Sequence, residues 1–237
     1  MKKPDNLIPK LGSKLEHGLM EKLDFKANGK TLFEFYYEQG VRVWYHNAPR
    51  YWIHSHTDGT VPMVEYYEDY TVDPKTNEIK FGNLKSKSVT SQYKHIRVRQ
   101  EDAQFVTTLL NSSLFYWWYV IYSDGRHLLD QQIGSFPLDL TLQSKDLQLK
   151  LKQLVELLMK EYQQNSNEKR NVRKGDYAIK IMEIIPKKSY DTISRIDDLL
   201  FDFFDFSEEE RDFIRNFDLG FRMGNGTNEN GGAQLNI

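Results

Sequence analysis

Apolar and polar positions alternate with a period of two from residue 41: Val41, Val43 and Tyr45 fall on one side, Arg42, Trp44 and His46 on the other. Successive side chains of a strand point to opposite faces, so this is the pattern of a half-buried strand. It breaks at Asn47-Ala48-Pro49 and resumes with Tyr51-Trp52-Ile53, which predicts a hairpin. The stretch 64–83 repeats the pattern around a turn at Asp73-Pro74-Lys75-Thr76-Asn77, and residues 93–100 offer a last strand. There His95, Arg97 and Arg99 share one face and Ile96 and Val98 the other.

Helical spacing takes over after residue 100. Glu101 and Asp102 put acids at the start of a helix that carries Phe105, Leu109 and Leu110. Six aromatic rings then fall within Phe115 to Tyr122. Residues 133–140 read as a short apolar strand, and Leu147, Leu151, Leu154, Val155, Leu158 and Tyr162 line one face of a long helix. The polar run 163–176 reads as a linker and 177–186 as strand. Ile193, Ile196, Leu200 and Phe203 mark a further helix; Ser207 with Glu210 three residues on is a capping box opening another, with Phe213, Ile214 and Phe217 as its apolar face. The predicted fold is α+β within the broad α/β class. A mixed-sheet lobe with a packed aromatic helix fills residues 1–145, a helical spacer with a short strand 146–188, a small helical unit 189–224 and a flexible tail 225–237.

The aromatic run raises the idea of a membrane span, but a bilayer needs ~20 consecutive apolar residues, and this run ends at Ser123. A buried helix is expected instead, with Leu114, Trp117, Trp118 and Ile121 against the sheet and the polar turn Ser123–His127 at its end. With 39% hydrophobic and 14% aromatic residues in 237, the chain is globular rather than disordered. It has no cysteine, which excludes disulfides and thiolate chemistry and favours the cytoplasm; the basic N-terminus lacks the apolar stretch of a signal peptide. The net charge of -2 conceals an asymmetry: residues 191–237 hold eleven acids and four bases, leaving 23 acids and 28 bases in residues 1–190. A mildly basic body with an acidic end permits nucleic-acid binding.

The stretch "LLNSSLFYWWYVIYSDGRHLLDQQIGSFPL", Leu109 to Leu138, resembles a segment in the C-terminal halves of adenine-specific DNA methyltransferases of the type IIG, TaqI-like restriction-modification kind. "SYDTISRIDDLLFDFFDFSEEERDFIRNFDLGFRMG", Ser189 to Gly224, is similar to the ending of the same proteins, and Arg50-Tyr51-Trp52 precedes both in the family's order. The resemblance covers roughly residues 40 to 224 and extends to one half of a type I restriction specificity subunit. It implies a target-recognition domain, the part of such an enzyme that reads double-stranded DNA. The family's Asn-Pro-Pro-Tyr motif and glycine-rich S-adenosylmethionine loop do not occur in this chain. The resemblance therefore implies a reader without the enzyme: no cofactor in this chain, S-adenosylmethionine and a candidate magnesium ion in the whole enzyme, and a methyltransferase domain or subunit as partner. A protein-interaction scaffold that binds no DNA is the alternative.

The candidate DNA contacts follow from residue chemistry. Arginine can bond guanine O6 and N7 together, and loop amides can hold a phosphate, which points to Ser123, Gly125, Arg126 and His127. Arg50 and Trp52 could lie along a groove or on a base, with Trp52 as a core anchor the competing reading. Lys94, Arg97 and Arg99, with Lys85, Lys87 and His95 nearby, could follow a phosphate backbone. His54, His56 and Asp58 imitate a metal site, but zinc is not expected without a third histidine or a cysteine nearby. Asp73, Glu78 and Lys80 imitate a nuclease core, but the turn Pro74–Asn77 lies where separate strands are needed.

Overall fold

Helix α1 (Lys14–Ala27) opens the computed structural model, which describes residues 8–123, 125–173 and 177–224. Strands β1 (Tyr36–His46), β2 (Ser55–Thr57), β3 (Met63–Tyr67), β4 (Tyr70–Val72), β5 (Ile79–Phe81), β6 (Leu84–Val89) and β7 (Tyr93–Val98) follow. Then come α2 (Ala103–Asn111), α3 (Ser113–Tyr122), the short α4 (Asp130–Gly134) and the long α5 (Lys145–Asn165). Strands β8 (Asn167–Arg173) and β9 (Tyr177–Glu183) precede α6 (Tyr190–Phe203), α7 (Glu208–Asn216) and α8 (Leu219–Met223). The fold is α+β. The strand ladders are antiparallel throughout the described residues, in the orders β2-β1-β7, β6-β3-β9-β8 and β4-β5, so the mixed sheet expected from the sequence gives way to antiparallel pairings, half of them between strands distant in sequence.

Strand β1 is bulged. Val98 pairs with both Tyr36 and Val41, and the intervening Gly40 sits so close that a Cβ there would lie 2.1 Å from the Val98 carbonyl oxygen. Only glycine permits that approach. The helix expected after Glu101 and the aromatic helix that follows it are α2 and α3. Asn111 ends the first, and Ser112 caps the second by accepting from the Phe115 amide at 3.0 Å. Every residue of α3 except Val120 is buried, which is the property of a helix enclosed on all sides rather than packed on one face. Both α3 indoles find partners, Trp117 on Glu16 at 3.2 Å and Trp118 on the Gln132 carbonyl at 2.9 Å. Phe201, Phe203, Phe204 and Phe206, too many rings for one stripe, are all buried; Phe203 meets Phe105 and Phe204 meets Phe136.

Trp52 and the segments Leu109–Leu138 and Ser189–Gly224 meet in one buried cluster. The Arg222 guanidinium, 2% exposed, lies between the rings of Trp52 at 4.0 Å and Tyr116 at 4.7 Å. Its Nη1 donates to the Ser113 hydroxyl at 3.1 Å, while the Trp52 indole donates to the Arg222 carbonyl at 2.7 Å. Asp197, likewise buried, accepts from the Ser113 amide at 2.8 Å. Burial pushes its carboxyl up to about 6, against the pull of the Ser113 bonds and the Arg222 charge. Two residues before Ser113, Asn111 replaces a strand partner for β2: its Oδ1 accepts from the Ser55 amide at 3.1 Å and its Nδ2 donates to the Ser55 carbonyl at 3.1 Å. Tyr162 of α5 completes that site with a 2.8 Å bond to Asn111 Oδ1.

Three local expectations change. Residues 133–140 form no strand: α4 covers the start, Pro137 makes a lone bridge to Thr31, and Asp139 caps a 3₁₀ turn by accepting from Thr141 at 3.0 Å. The polar linker contains β8, which as a sheet edge needs no apolar face to pair with β9; its Lys174, Gly175 and Asp176 lie outside the described residues, as does the tail 225–237. Strand β9 also pairs with β3, Tyr66 opposite Ile179, so the segment read as a spacer is built into a sheet of the lobe. No helix among the described residues is long and apolar enough to cross a membrane.

Replacing Arg222 with Leu removes the cation between two rings and leaves buried Asp197 without its compensating charge. The expected loss is roughly 3 to 5 kcal/mol, with little recovery in Arg222→Lys because an ammonium does not stack as a planar guanidinium does. Urea unfolding of the three proteins measures this; a loss below about 1 kcal/mol would make the cluster incidental.

Candidate nucleic-acid interface

Asn47 draws the basic segments together through its backbone. Its amide donates to the Gln92 carbonyl at 2.8 Å, and its carbonyl accepts from the Leu128 amide at 2.9 Å. Three connections are thereby tied at one point: the β1–β2 turn carrying Arg50, the entry to β7 carrying Lys94, and the loop after α3 carrying Arg126 and His127. The loop is braced from within. Gly125, at φ 78, takes a backbone conformation that side chains disfavour, and its amide donates to Ser123 Oγ at 2.9 Å. Lys10 anchors the Ser123 carbonyl at 2.7 Å. Arg126 and His127 are exposed; Asp124 lies outside the described residues.

Strand β7 carries His95, Arg97 and Arg99 outward as the alternation implied, and Lys94, of the opposite parity, is exposed at its start. Ile96 and Val98 are buried, while Lys94, His95, Arg97 and Arg99 are exposed. Arg97 is steadied by a 2.9 Å bond from Nη1 to the Gly40 carbonyl at the bulge, and Arg99 lies 5.7 Å from the Tyr37 ring centre. Neither joins a described ion pair, and the same holds for Lys94 and Arg50. Lys85 and Lys87 differ: Lys85 pairs with Glu68, and Lys87 with Glu65 at 2.5 Å, which removes them from the free positive surface.

Two predicted contacts have other work. The Trp52 indole is committed to Arg222, and Ser123 is buried as the brace of its turn. No group of three potential metal ligands occurs among the described residues, and Asp73 holds a turn by accepting from the Lys75 amide at 2.7 Å. Sequence reasoning missed a groove of about 620 Å³ between β1, β7 and the loop, lined in part by Trp44, Lys94, His95, Leu129 and Asp130. The alternation did place Trp44 on the outward side of β1, but only the register, Trp44 opposite His95, reveals that the two rings form one wall. Burial, together with the charges of Arg97 and Arg42, lowers the His95 imidazole below its usual range.

No protein-family model, curated protein or solved structure matches the chain.

Beneath the interface, His54 and His56 are buried with Nδ1 of the first 3.2 Å from Nε2 of the second; His46 stacks on His54 at 5.0 Å, and Tyr93 and Tyr162 enclose the pair. Burial lowers both, His54 well below its usual value and His56 to about 3, with no carboxylate among the causes. An unfolded histidine takes up its proton near ~6.5, whereas the folded pair resists. Stability from this site is therefore complete above that pH and declines as pH falls toward the folded value. The expected loss is up to about 1.4 kcal/mol per pH unit for each imidazole. Urea midpoints at several pH values between neutrality and mild acid should fall, and His56→Phe should flatten the slope by about one proton; identical slopes would contradict this reading.

Proposed function

We propose that this chain binds double-stranded DNA sequence-specifically, as the target-recognition module of an adenine-specific restriction-modification methyltransferase. The observation that carries the reading is the junction at Asn47, which gathers the segments bearing Arg50, Lys94 and Arg126 beside the outward face of β7. Four exposed cations there, Arg50, Lys94, Arg97 and Arg99, are not neutralised by a described carboxylate. Desolvating a cation already paired to a carboxylate would cost part of what a phosphate contact returns, so unneutralised cations suit a polyanion. The family resemblance of Leu109–Leu138 and Ser189–Gly224 supports the identity of the module, and the missing catalytic motifs assign methyl transfer to a separate domain or subunit. S-adenosylmethionine, and magnesium if the whole enzyme also cleaves, belong to that partner. The cytoplasm is the compartment this reading requires, and a chain without cysteine suits it.

Within the interface the loop and the strand have different tasks. A braced turn can hold Arg126 and His127 rigidly enough to discriminate, whereas a strand presents charge at a regular pitch suited to a repeating backbone. Arg126→Ala is expected to cost about 1 to 3 kcal/mol and to relax preference at one base pair. Arg97→Ala should weaken all sequences alike and reduce the salt slope by about one. Selection of bound sequences from a random duplex pool, with affinities at two salt concentrations, tests both. An unchanged selected motif in Arg126→Ala removes that residue as a reader. Absence of binding at low salt removes the DNA reading and leaves the interaction scaffold.

A further inference from the structure

The groove beside the cation row has an aromatic wall. Trp44 and His95 stand opposite each other on β1 and β7 with ring centres 4.7 Å apart. The Trp44 indole is fixed without being buried: its Nε1 donates to Asp58 at 2.7 Å, and Arg42, itself bonded to Asp58, lies 5.1 Å from its ring centre. The other tryptophans are occupied, Trp117 and Trp118 in the core and Trp52 on Arg222. Lys94 and Asp130 bring opposite charges into the same groove. Asp130 Oδ1 accepts from the Tyr36 hydroxyl at 3.0 Å, while Oδ2 has no described partner.

We infer that this groove takes a single unstacked nucleobase bearing an exocyclic amine, adenine, cytosine or guanine, from a strand whose backbone runs along Lys94, Arg97 and Arg99. The inference rests on the DNA-binding reading and adds to it a place for one base outside the stack. Each element of the groove has a counterpart in that ligand. A base plane has an apolar face for the Trp44–His95 wall. Its amine donates to the free carboxylate oxygen of Asp130, whereas thymine sets a carbonyl in the place of the amine and has only its ring N3–H to offer. Its phosphate meets Lys94 at the rim. An intact duplex exposes no free base face, so occupancy favours positions where unstacking is already done, a bulge or a mismatch. The neutral state of His95 suits a ring that stacks on a base.

The experiment compares duplexes that are intact, carry one unpaired adenine or carry one unpaired thymine. Anisotropy should show the adenine bulge binding roughly tenfold tighter than the intact duplex, the scale expected for one stacked base. Trp44→Leu should remove that preference, Trp44→Phe should keep most of it, and Asp130→Asn should abolish the distinction between adenine and thymine. With wild-type protein alone, 2-aminopurine placed in the bulge should be quenched on binding as it stacks, so the result does not depend on a variant folding. Equal binding of bulged and intact duplexes, or unquenched 2-aminopurine, overturns the groove assignment while leaving duplex recognition standing. Failure of all duplexes to bind at low salt overturns both.

Discussion

The guanidinium of Arg222 is the group around which the chain is organised. It sits 36 residues beyond Pro186 and 170 residues beyond Trp52 in sequence, yet contacts Trp52, Ser113 and Tyr116 at once. A buried cation carries a large desolvation cost, so it is retained only where rings, hydroxyls and a nearby carboxylate compensate it together. Asp197 has the complementary problem, a carboxyl raised by burial and lowered by that same positive charge. Neither group would be stable without the other, and Ser113 bonds to both. The start of α3, the β1–β2 turn and the C-terminal helices are thereby fixed to one point.

This arrangement separates architecture from recognition. Asn111, Ser112, Ser113, Trp117 and Arg222, from the segments Leu109–Leu138 and Ser189–Gly224, are buried and make internal bonds. The exposed end of the same segment, Arg126 and His127, is where the proposed reading takes place. Rigidity passes from one to the other through α3, enclosed on nearly all sides, and through the loop braced by Ser123 and Lys10. The C-terminal acids stay with this framework: Glu210 and Asp205 pair with Lys22 and Lys26 of α1, and Asp202 pairs with Arg211. These pairs tie α6 and α7 to α1 and to each other, so part of the acidic charge serves to hold the framework.

What was legible in the sequence follows from which interactions are periodic. The β7 face, the long α5 stripe and the Ser207–Glu210 capping box were readable because burial repeats at the pitch of the element. Strand β8 was hidden because an edge strand wet on both sides carries no apolar signal, and residues 133–140 misled because apolar character there serves core packing around a proline, not a ladder. At the site, the identity of the cations was legible but their electrostatic state was not. Nothing local distinguishes Lys87, neutralised by Glu65 across β3 and β6, from Lys94, which has no such partner. The role of Trp52 and the Trp44–His95 wall likewise depend on partners 170 and 51 residues away.

The central claim, that the motif residues build a framework while a separate basic surface meets DNA, is tested most directly by amide hydrogen exchange with and without a bound duplex. The account predicts added protection confined to the β1–β2 turn, the entry and length of β7, and the loop after α3, with α6, α7 and α8 unchanged. Protection concentrated in residues 189–224, with none around residues 47–54, 90–99 and 125–130, would contradict it.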